Sequence, residues 1–289
     1  MGMKLVSVRG DNPNRYGKPT VPATIMLLDA ETGEINSLLG ATYLTAARTA
    51  AGSAIATELC LPIQKNKVIQ HLVVFGAGLQ AQEHIVAMKC VATVQNITII
   101  NRSKERAKML AAKLMLEPPS SVSNANVHEC VDSASPSKNS SIRVVLSADT
   151  EEVKIAVRRA DVIVTATNSA VPLFQGNWVS PGCHINGVGS YTSDMKEVDE
   201  DLVNRCQIFY DAKEALMVGD LKHLQENTKP IRTLLLGDLI NNPNFVREPC
   251  RFGDCTFYKS VGTAVQDICT AHTAVLKAKE LNLGMYVDL

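Results

Sequence analysis

Short apolar runs alternate with amphipathic segments through most of the chain. The runs "HLVVF" from His71, "NITII" from Asn96 and "DVIVTAT" from Asp161 each border a segment with helical spacing. Strands that alternate with helices in this way are typical of a parallel sheet with helices on both faces. The pattern therefore predicts an α/β fold with a doubly wound, Rossmann-type parallel sheet over about residues 65–260.

Both ends of the chain lie outside this alternation. The start reads as strands, with a polar turn "RGDNPNRYGKP" and a hairpin turn within "LLDAETGEIN", followed by the alanine-rich helix "TYLTAARTAAGSAIATELCL". The end reads as one long amphipathic helix. We therefore expect a Rossmann domain over residues 63–262, inserted into a second α/β domain that both chain ends build, from residues 1–62 and 263–289.

Two segments inside the larger domain carry expectations of their own. The stretch 117–141 is rich in Ser, Asn and Pro and has no periodicity, so it reads as a loop or insertion. The stretch "RTLLLGDLINN" from Arg232 reads as a short helix.

A glycine loop follows the strand "HLVVF". Its sequence, Gly76-Ala-Gly78-Leu-Gln-Ala81, comes directly after a buried strand and opens a helix. Gly76 permits the tight turn, Gly78 lets the backbone approach a pyrophosphate, and Ala81 is small enough for the helix to pack on the strand. The helix N-terminus adds unpaired N–H groups and partial positive charge. The loop therefore predicts dinucleotide binding.

The end of the next strand indicates which dinucleotide. Sites for NAD usually place an acidic residue there to accept the ribose 2′-OH. Here the strand ends in Asn101, Arg102 and Ser103, and none of these is acidic. Arg102 can pair with a 2′-phosphate, and Asn101 and Ser103 can donate hydrogen bonds to it. We therefore expect NADP(H) rather than NAD(H).

Composition and charge narrow the class of protein. Lys+Arg and Asp+Glu are 29 each, which gives no electrostatic footprint for nucleic acid or an anionic membrane. No apolar run reaches the ~18 residues that span a bilayer. The eight cysteines form no C-x-x-C pair and the histidines are scattered, so we expect a cytoplasmic protein with reduced thiols and without a metal site. Cys250 and Cys255 could form a loop disulfide or half of a metal site.

Five motifs in this order carry a family resemblance: "RTAAGSA", "VVFGAGLQAQEH", "ADVIVTATNS", "CHINGVGSYTSDMKEVD" and "YKSVGTAVQD". With them the chain resembles the ornithine cyclodeaminase/mu-crystallin family, and most of all its ketimine reductases. The resemblance implies NADPH-dependent hydride transfer to the C=N bond of a cyclic ketimine that lies next to a carboxylate. It also implies a small imino or keto acid as substrate and a homodimer whose contact comes from the domain built by the chain ends.

The resemblance assigns roles to individual residues. It implies that Lys4 and Arg48 are catalytic, with Lys4 contacting the substrate carboxylate or imine, and Arg48 reaching both substrate and cofactor. By its chemistry Lys4 could instead act as a proton donor. It implies further cofactor contacts at Thr20, Leu79, Gln80, Thr165, Thr167 and Ser260.

Two departures from the family pattern leave alternatives open. Members that release ammonia from ornithine carry an Asp where this chain has Tyr191, so we expect no ornithine cyclisation. Members usually carry a further helix, strands and a pocket arginine before the lysine strand, and we expect an incomplete pocket if these are absent. The alternatives are an alanine dehydrogenase, or another amino acid dehydrogenase that forms an imine, and an NADPH-regulated protein that binds a small molecule such as thyroid hormone without turning it over.

Overall fold

The computed structural model describes residues 1–61, 68–116, 140–226, 233–241 and 254–287. In chain order the strands are β1 Gly2–Val6, β2 Ala23–Leu28, β3 Ile35–Gly40, β4 Val68–Phe75, β5 Thr93–Asn101, β6 Ser141–Leu146, β7 Val162–Thr165, β8 His184–Gly187, β9 Cys206–Tyr210, β10 Thr233–Leu235 and β11 Cys255–Lys259. The helices are α1 Asn12–Tyr16, α2 Thr42–Cys60, α3 Leu79–Val91, α4 Lys104–Leu116, α5 Thr150–Arg159, α6 Glu200–Arg205, α7 Leu236–Asn241 and α8 Ala264–Glu280.

The chain divides into two units by its internal contacts. The small unit comprises Met1–Thr49 and Gly262–Leu289, and the large unit comprises Ala50–Val261. The boundary falls within α2, which begins in the small unit and ends in the large one.

The small unit is an antiparallel sheet in the order β1-β2-β3, with α8 packed on it. The Asp29 side chain accepts hydrogen bonds from the backbone N–H groups of Glu31 and Thr32, which closes the predicted hairpin between β2 and β3. Ile25 and Ala271 are fully buried in its core. This unit supplies the smaller of the two sheets.

The segment predicted as a polar turn is in part a helix. Residues Asn12–Tyr16 form α1, so the prediction of a turn throughout was wrong. Proline within its first turn presets the helical backbone, and Gly17 in the left-handed conformation ends the helix. These two end signals outweigh the low helix propensity of the asparagines.

The large unit contains a parallel sheet of eight strands in the order β10-β9-β11-β8-β7-β4-β5-β6. Along β4, Val73 and Phe75 join one core cluster with α5 and α6, whereas Leu72 and Val74 join a second cluster with α3 and α4. Successive side chains of a strand point to opposite faces, so both faces of this sheet are covered. That is why the second half of β4, Leu72 to Phe75, reads as a continuous apolar run.

The stretch predicted as one short helix from Arg232 begins instead with a strand. Thr233–Leu235 pairs in parallel with β9 at the edge of the sheet, and the helix α7 starts only at Leu236. The prediction was wrong for these three residues because pairing with a neighbouring strand overrode the local helical spacing.

Three other expectations concern the loop 117–141, the Cys250 and Cys255 pair, and membrane-spanning segments. The predicted loop 117–141 lies outside the described residues except for its last two, and Ser141 begins β6. Cys250 lies outside them as well, so its pairing stays a prediction, while Cys255 is a buried free thiol. Among the described helices, none is long and apolar enough to cross a bilayer.

Candidate functional site

The glycine loop, Gly76 to Ala81, lies between the carboxyl end of β4 and the start of α3. Gly76 has a φ of +113°, and a Cβ there would lie 2.6 Å from the Ala166 carbonyl oxygen, so only glycine fits. Gly78 is the N-cap of α3 in extended conformation, and a Cβ on it would meet no atom within 4 Å. The loop thus leaves open space directly before the first turn of α3.

The start of α3 offers hydrogen-bond donors to a ligand. No side chain caps this helix at Gly78, and the residues of its first turn are not acidic. The first N–H groups of a helix have no partner within the helix and attract phosphate. Leu79 and Gln80 are the first two helical residues, so their backbone N–H groups lie at this uncapped end. These features fit a dinucleotide pyrophosphate.

A buried histidine makes a hydrogen bond to the backbone of the glycine loop at Gln80. His84 Nδ1 lies 2.7 Å from the Gln80 carbonyl oxygen, and its Nε2 lies 3.0 Å from Ser53 Oγ. Because a carbonyl can only accept, Nδ1 carries the proton and Nε2 accepts from the serine. Burial lowers the pKa of His84 to about 4, so the ring is neutral near pH 7. The sequence analysis assigned this histidine no role.

The three residues predicted to select NADP(H) lie together where β5 ends. The Gly76 N–H donates to the Ile100 carbonyl at 2.9 Å, so the glycine loop and the end of β5 share one edge of the sheet. Asn101 Nδ2 donates to the Ser103 carbonyl at 2.9 Å, and Ser103 Oγ accepts from the Arg106 N–H at 3.2 Å. Arg102 is exposed. Of the three, Arg102 is therefore the residue with a charged group turned to solvent.

The two threonines predicted near the nicotinamide differ in their surroundings. Thr165, the last residue of β7, is fully buried, and its Oγ1 has no hydrogen-bond partner among the described residues. Thr167 is held by Glu197, whose Oε1 accepts from both the Thr167 N–H and its hydroxyl at 2.7 Å. Glu197 was not among the predicted site residues, although it lies in the motif "SDMKEVD".

Ser260 lies just beyond β11, and its hydroxyl is already engaged. Its Oγ donates to Asp211 Oδ2 at 2.7 Å, and Asp211 Oδ1 accepts from the Val261 N–H at 3.1 Å. Asp211 directly follows β9, the neighbour of β11. The carboxylate therefore fixes the backbone at the end of β11, and a ligand would meet Ser260 in this fixed position.

In the small unit one carboxylate joins the two predicted catalytic cations. Asp267 Oδ2 lies 2.6 Å from Lys4 Nζ, and its Oδ1 accepts from Arg48 Nε at 2.9 Å. Arg48 Nη1 also donates to Gln266 Oε1 at 3.1 Å. The side chains of Lys4, Arg48 and Asp267 are only 12%, 8% and 4% exposed. The structure thus brings Lys4 and Arg48 together.

Asp267 was not among the site residues predicted from the sequence. It lies in the first turn of α8, where Thr263 and Gln266 form a capping box. An acidic residue in the first turn of a helix usually signals only a favourable helix end, so its position gave no hint of these partners. Two cations and one carboxylate leave a net charge of +1, which suits one further carboxylate from a ligand.

Thr20 is the one predicted residue of the small unit without a described link to this triad. It is exposed, and its carbonyl accepts from the Arg9 N–H at 2.8 Å. Within the ranges that the structure describes, no group of three or more His, Cys, Asp or Glu side chains is arranged to hold a metal ion.

Comparison with known proteins identifies a matching family and several similar proteins. The profile of the ornithine cyclodeaminase/mu-crystallin family matches residues 1–135 and 120–281. A Dictyostelium discoideum protein described as an uncharacterized cyclodeaminase is 32% identical over 305 residues, covering 100% of this chain and 78% of the relative. The ketimine reductase mu-crystallin of Mus musculus is 29% identical, covering 88% of this chain and 68% of the relative.

A solved structure is similar over almost the whole chain. It is that of Thermococcus litoralis Delta(1)-pyrroline-2-carboxylate reductase in complex with NADH and L-proline. The match has a TM-score of 0.78 and 26% identity, and it covers 99% of this chain and 80% of the other.

Proposed function

Since this chain belongs to the ornithine cyclodeaminase/mu-crystallin family, we propose that it reduces cyclic ketimines with NADPH, by hydride transfer to a C=N bond next to a carboxylate. The observation that carries the proposal is the buried triad in which Asp267 holds Lys4 and Arg48. A pair of cations with one compensating carboxylate is built to receive one more carboxylate, and imino acids carry one. Two relatives support this reading, because they are named as reductases of a ketimine and of pyrroline-2-carboxylate.

The proposal assigns the dinucleotide to the large unit. The glycine loop and the uncapped start of α3 would hold the pyrophosphate, and Arg102 would pair with the 2′-phosphate. The absence of an acidic side chain at Asn101 supports NADP(H), because a carboxylate there would repel the 2′-phosphate. The Thermococcus litoralis relative was solved with NADH, so coenzyme preference needs a test of its own. In domain terms, residues 63–262 bind the cofactor and residues 1–62 with 263–289 bind the substrate.

Each residue of the triad has a different role toward the substrate. When bound, the reduced nicotinamide supplies the hydride. Arg48 holds the substrate carboxylate through paired hydrogen bonds of its guanidinium. Lys4 transfers a proton to the imine nitrogen, because a protonated C=N group accepts hydride more readily at its carbon. Asp267 keeps both cations in place and limits their mutual repulsion.

We propose a homodimer formed through the small sheet. Met3, Met26 and Leu38 pair directly across β1, β2 and β3, so they form one row on a face of the sheet. Met3 and Leu38 are exposed, as is Leu5 two residues further along β1. An apolar sheet face rimmed by polar residues is typical of an interaction surface. The homodimer is tested by measuring the mass of the particle in solution for wild type and for Leu38→Asp. A monomeric mass for both proteins would contradict the proposed dimer.

The enzymatic proposal is tested by NADPH consumption with Δ1-piperideine-2-carboxylate and Δ1-pyrroline-2-carboxylate. We expect turnover with at least one of them and none with ornithine. Turnover restricted to pyruvate with ammonia would favour an amino acid dehydrogenase. A folded preparation that binds NADPH but reduces none of these compounds would contradict the proposal and favour a binding protein.

A further inference from the structure

A buried ionic cluster lies at the carboxyl edge of the large sheet. It consists of Glu197, Asp220, Lys259 and Ser190, all four fully buried, and we call it the Glu197 cluster. Lys259 Nζ contacts Ser190 Oγ and lies 3.2 Å from Asp220 Oδ2. Asp220 Oδ1 accepts from the backbone N–H groups of Glu197 at 2.7 Å and Val198 at 3.0 Å.

The cluster connects the carboxyl ends of three neighbouring strands, β7, β8 and β11. Glu197 Oε1 accepts from the Thr167 N–H and hydroxyl after β7, and its Oε2 accepts from the Gly189 N–H at 2.8 Å after β8. Lys259 is the last residue of β11, which pairs with β8. In open parallel sheets, ligands bind outside the carboxyl ends of the strands. The cluster thus lies where the reacting end of a dinucleotide is expected.

The charges of the cluster do not balance. Lys259 and Asp220 form a neutral pair. Glu197 adds a carboxylate, and its described hydrogen bonds come from uncharged donors of Thr167 and Gly189. Burial raises the pKa of Glu197, while the charge of Lys259 opposes that rise. A buried carboxylate without its own cation is costly to keep. Buried ionisable groups whose charge is not compensated are concentrated at functional sites.

We infer that Glu197 is a positioning residue of the cofactor site, which fixes Thr167 and the Gly189 backbone and favours the oxidised nicotinamide through its negative charge. The inference rests on the proposed dinucleotide function. The nicotinamide ring is neutral when reduced and gains a positive charge as its hydride leaves. A fixed negative charge at low dielectric therefore stabilises the ring increasingly as transfer proceeds.

The test compares the affinities for NADP⁺ and NADPH, measured by calorimetry or fluorescence. In Glu197→Gln, we expect the ratio of the dissociation constants, NADP⁺ over NADPH, to rise about tenfold, because a lost charge affects only the charged ring. Glu197→Asp keeps the charge and should keep the wild-type ratio. As a matched control, Asp199→Asn removes a carboxylate that accepts the N–H groups of Gly176 and Leu202. It should leave the ratio unchanged.

The outcomes separate this inference from the proposed function. If wild type binds both nucleotides and Glu197→Gln weakens both equally, Glu197 is only structural and the inference is overturned. If wild type binds neither, the dinucleotide function fails as well. Should Glu197→Gln not fold, wild type alone decides: we expect NADP⁺ to bind at least as tightly as NADPH. A tenfold preference for NADPH would overturn the inference.

Discussion

The Lys4 ammonium lies 2.6 Å from the Asp267 carboxylate, so the first strand and the last helix of the chain meet in one buried ion pair. The same carboxylate accepts from Arg48 Nε. This relationship explains how a chain can keep two cations close together and nearly buried, because Asp267 offsets their repulsion and their loss of hydration.

Asp267→Asn should destabilise the small unit. The amide leaves two buried cations without their counter-charge, and we expect a loss of about 3 kcal/mol in the free energy of unfolding. Urea unfolding followed by circular dichroism measures it. Lys277→Met serves as the control, because its pair with Glu280 is exposed and should be worth less than about 1 kcal/mol. Equal effects of both substitutions would show that the triad is not a buried ionic unit.

Gly78→Ala and Gly76→Ala should differ in what they damage. At Gly78 the backbone is ordinary and the added methyl group meets no protein atom, so stability should stay within about 0.5 kcal/mol. The methyl group would instead obstruct the pyrophosphate, and we expect the dissociation constant for NADPH to rise about tenfold or more. Gly76→Ala is strained, with a φ of +113° and a close carbonyl, and should lower stability by about 1–3 kcal/mol.

Thermal melting and NADPH titration of the two glycine variants provide the measurements. Unchanged NADPH affinity in Gly78→Ala would place the pyrophosphate somewhere other than the glycine loop.

Arg102→Ala should shift coenzyme preference. The substitution removes the exposed cation beyond β5, so we expect kcat/KM for NADPH to fall about tenfold or more and kcat/KM for NADH to stay within about twofold. Steady-state rates with both coenzymes measure the shift. Lys104→Ala is the control, because it removes a neighbouring exposed cation. A wild type that prefers NADH, or equal losses with both coenzymes, would show that Arg102 does not select the 2′-phosphate.

Stability should depend on pH through two buried histidines. Burial lowers the pKa of both His84 and His184 to about 4, against an ordinary value of 6.5. Between these values the unfolded chain binds protons that the folded chain does not. Stability is therefore full above pH 6.5 and falls as the pH drops toward 4, by about 1.4 kcal/mol per pH unit for each histidine.

The histidine effect is isolated by comparing wild type with His84→Gln. The variant should lose about half of the histidine contribution to the slope between pH 6 and pH 4.5, as measured by urea unfolding at a series of pH values. Identical slopes would mean that His84 is not neutral and buried in the folded protein.

The sequence predicted those features whose signals are local. The alternation of apolar runs predicted the parallel sheet, and the spacing of Gly76 and Gly78 after a strand predicted the turn into α3. It did not reveal Asp267 or Glu197, because their partners come from distant parts of the chain and an acidic residue near a helix end looks ordinary. The sequence likewise did not predict α1, where proline in the first turn and Gly17 at the end favour a helix despite the low helix propensity of the asparagines.

The transfer of a labelled hydride tests the central claim most directly. Wild type is incubated with NADPH that carries deuterium at C4 in the transferable position, together with Δ1-piperideine-2-carboxylate, and the product is analysed by mass spectrometry. We predict a cyclic amino acid one mass unit heavier than the unlabelled product, and a rate lowered about a hundredfold in Lys4→Met with NADPH affinity retained. No product, or a product without the label, from protein that binds NADPH would contradict the assignment as a ketimine reductase.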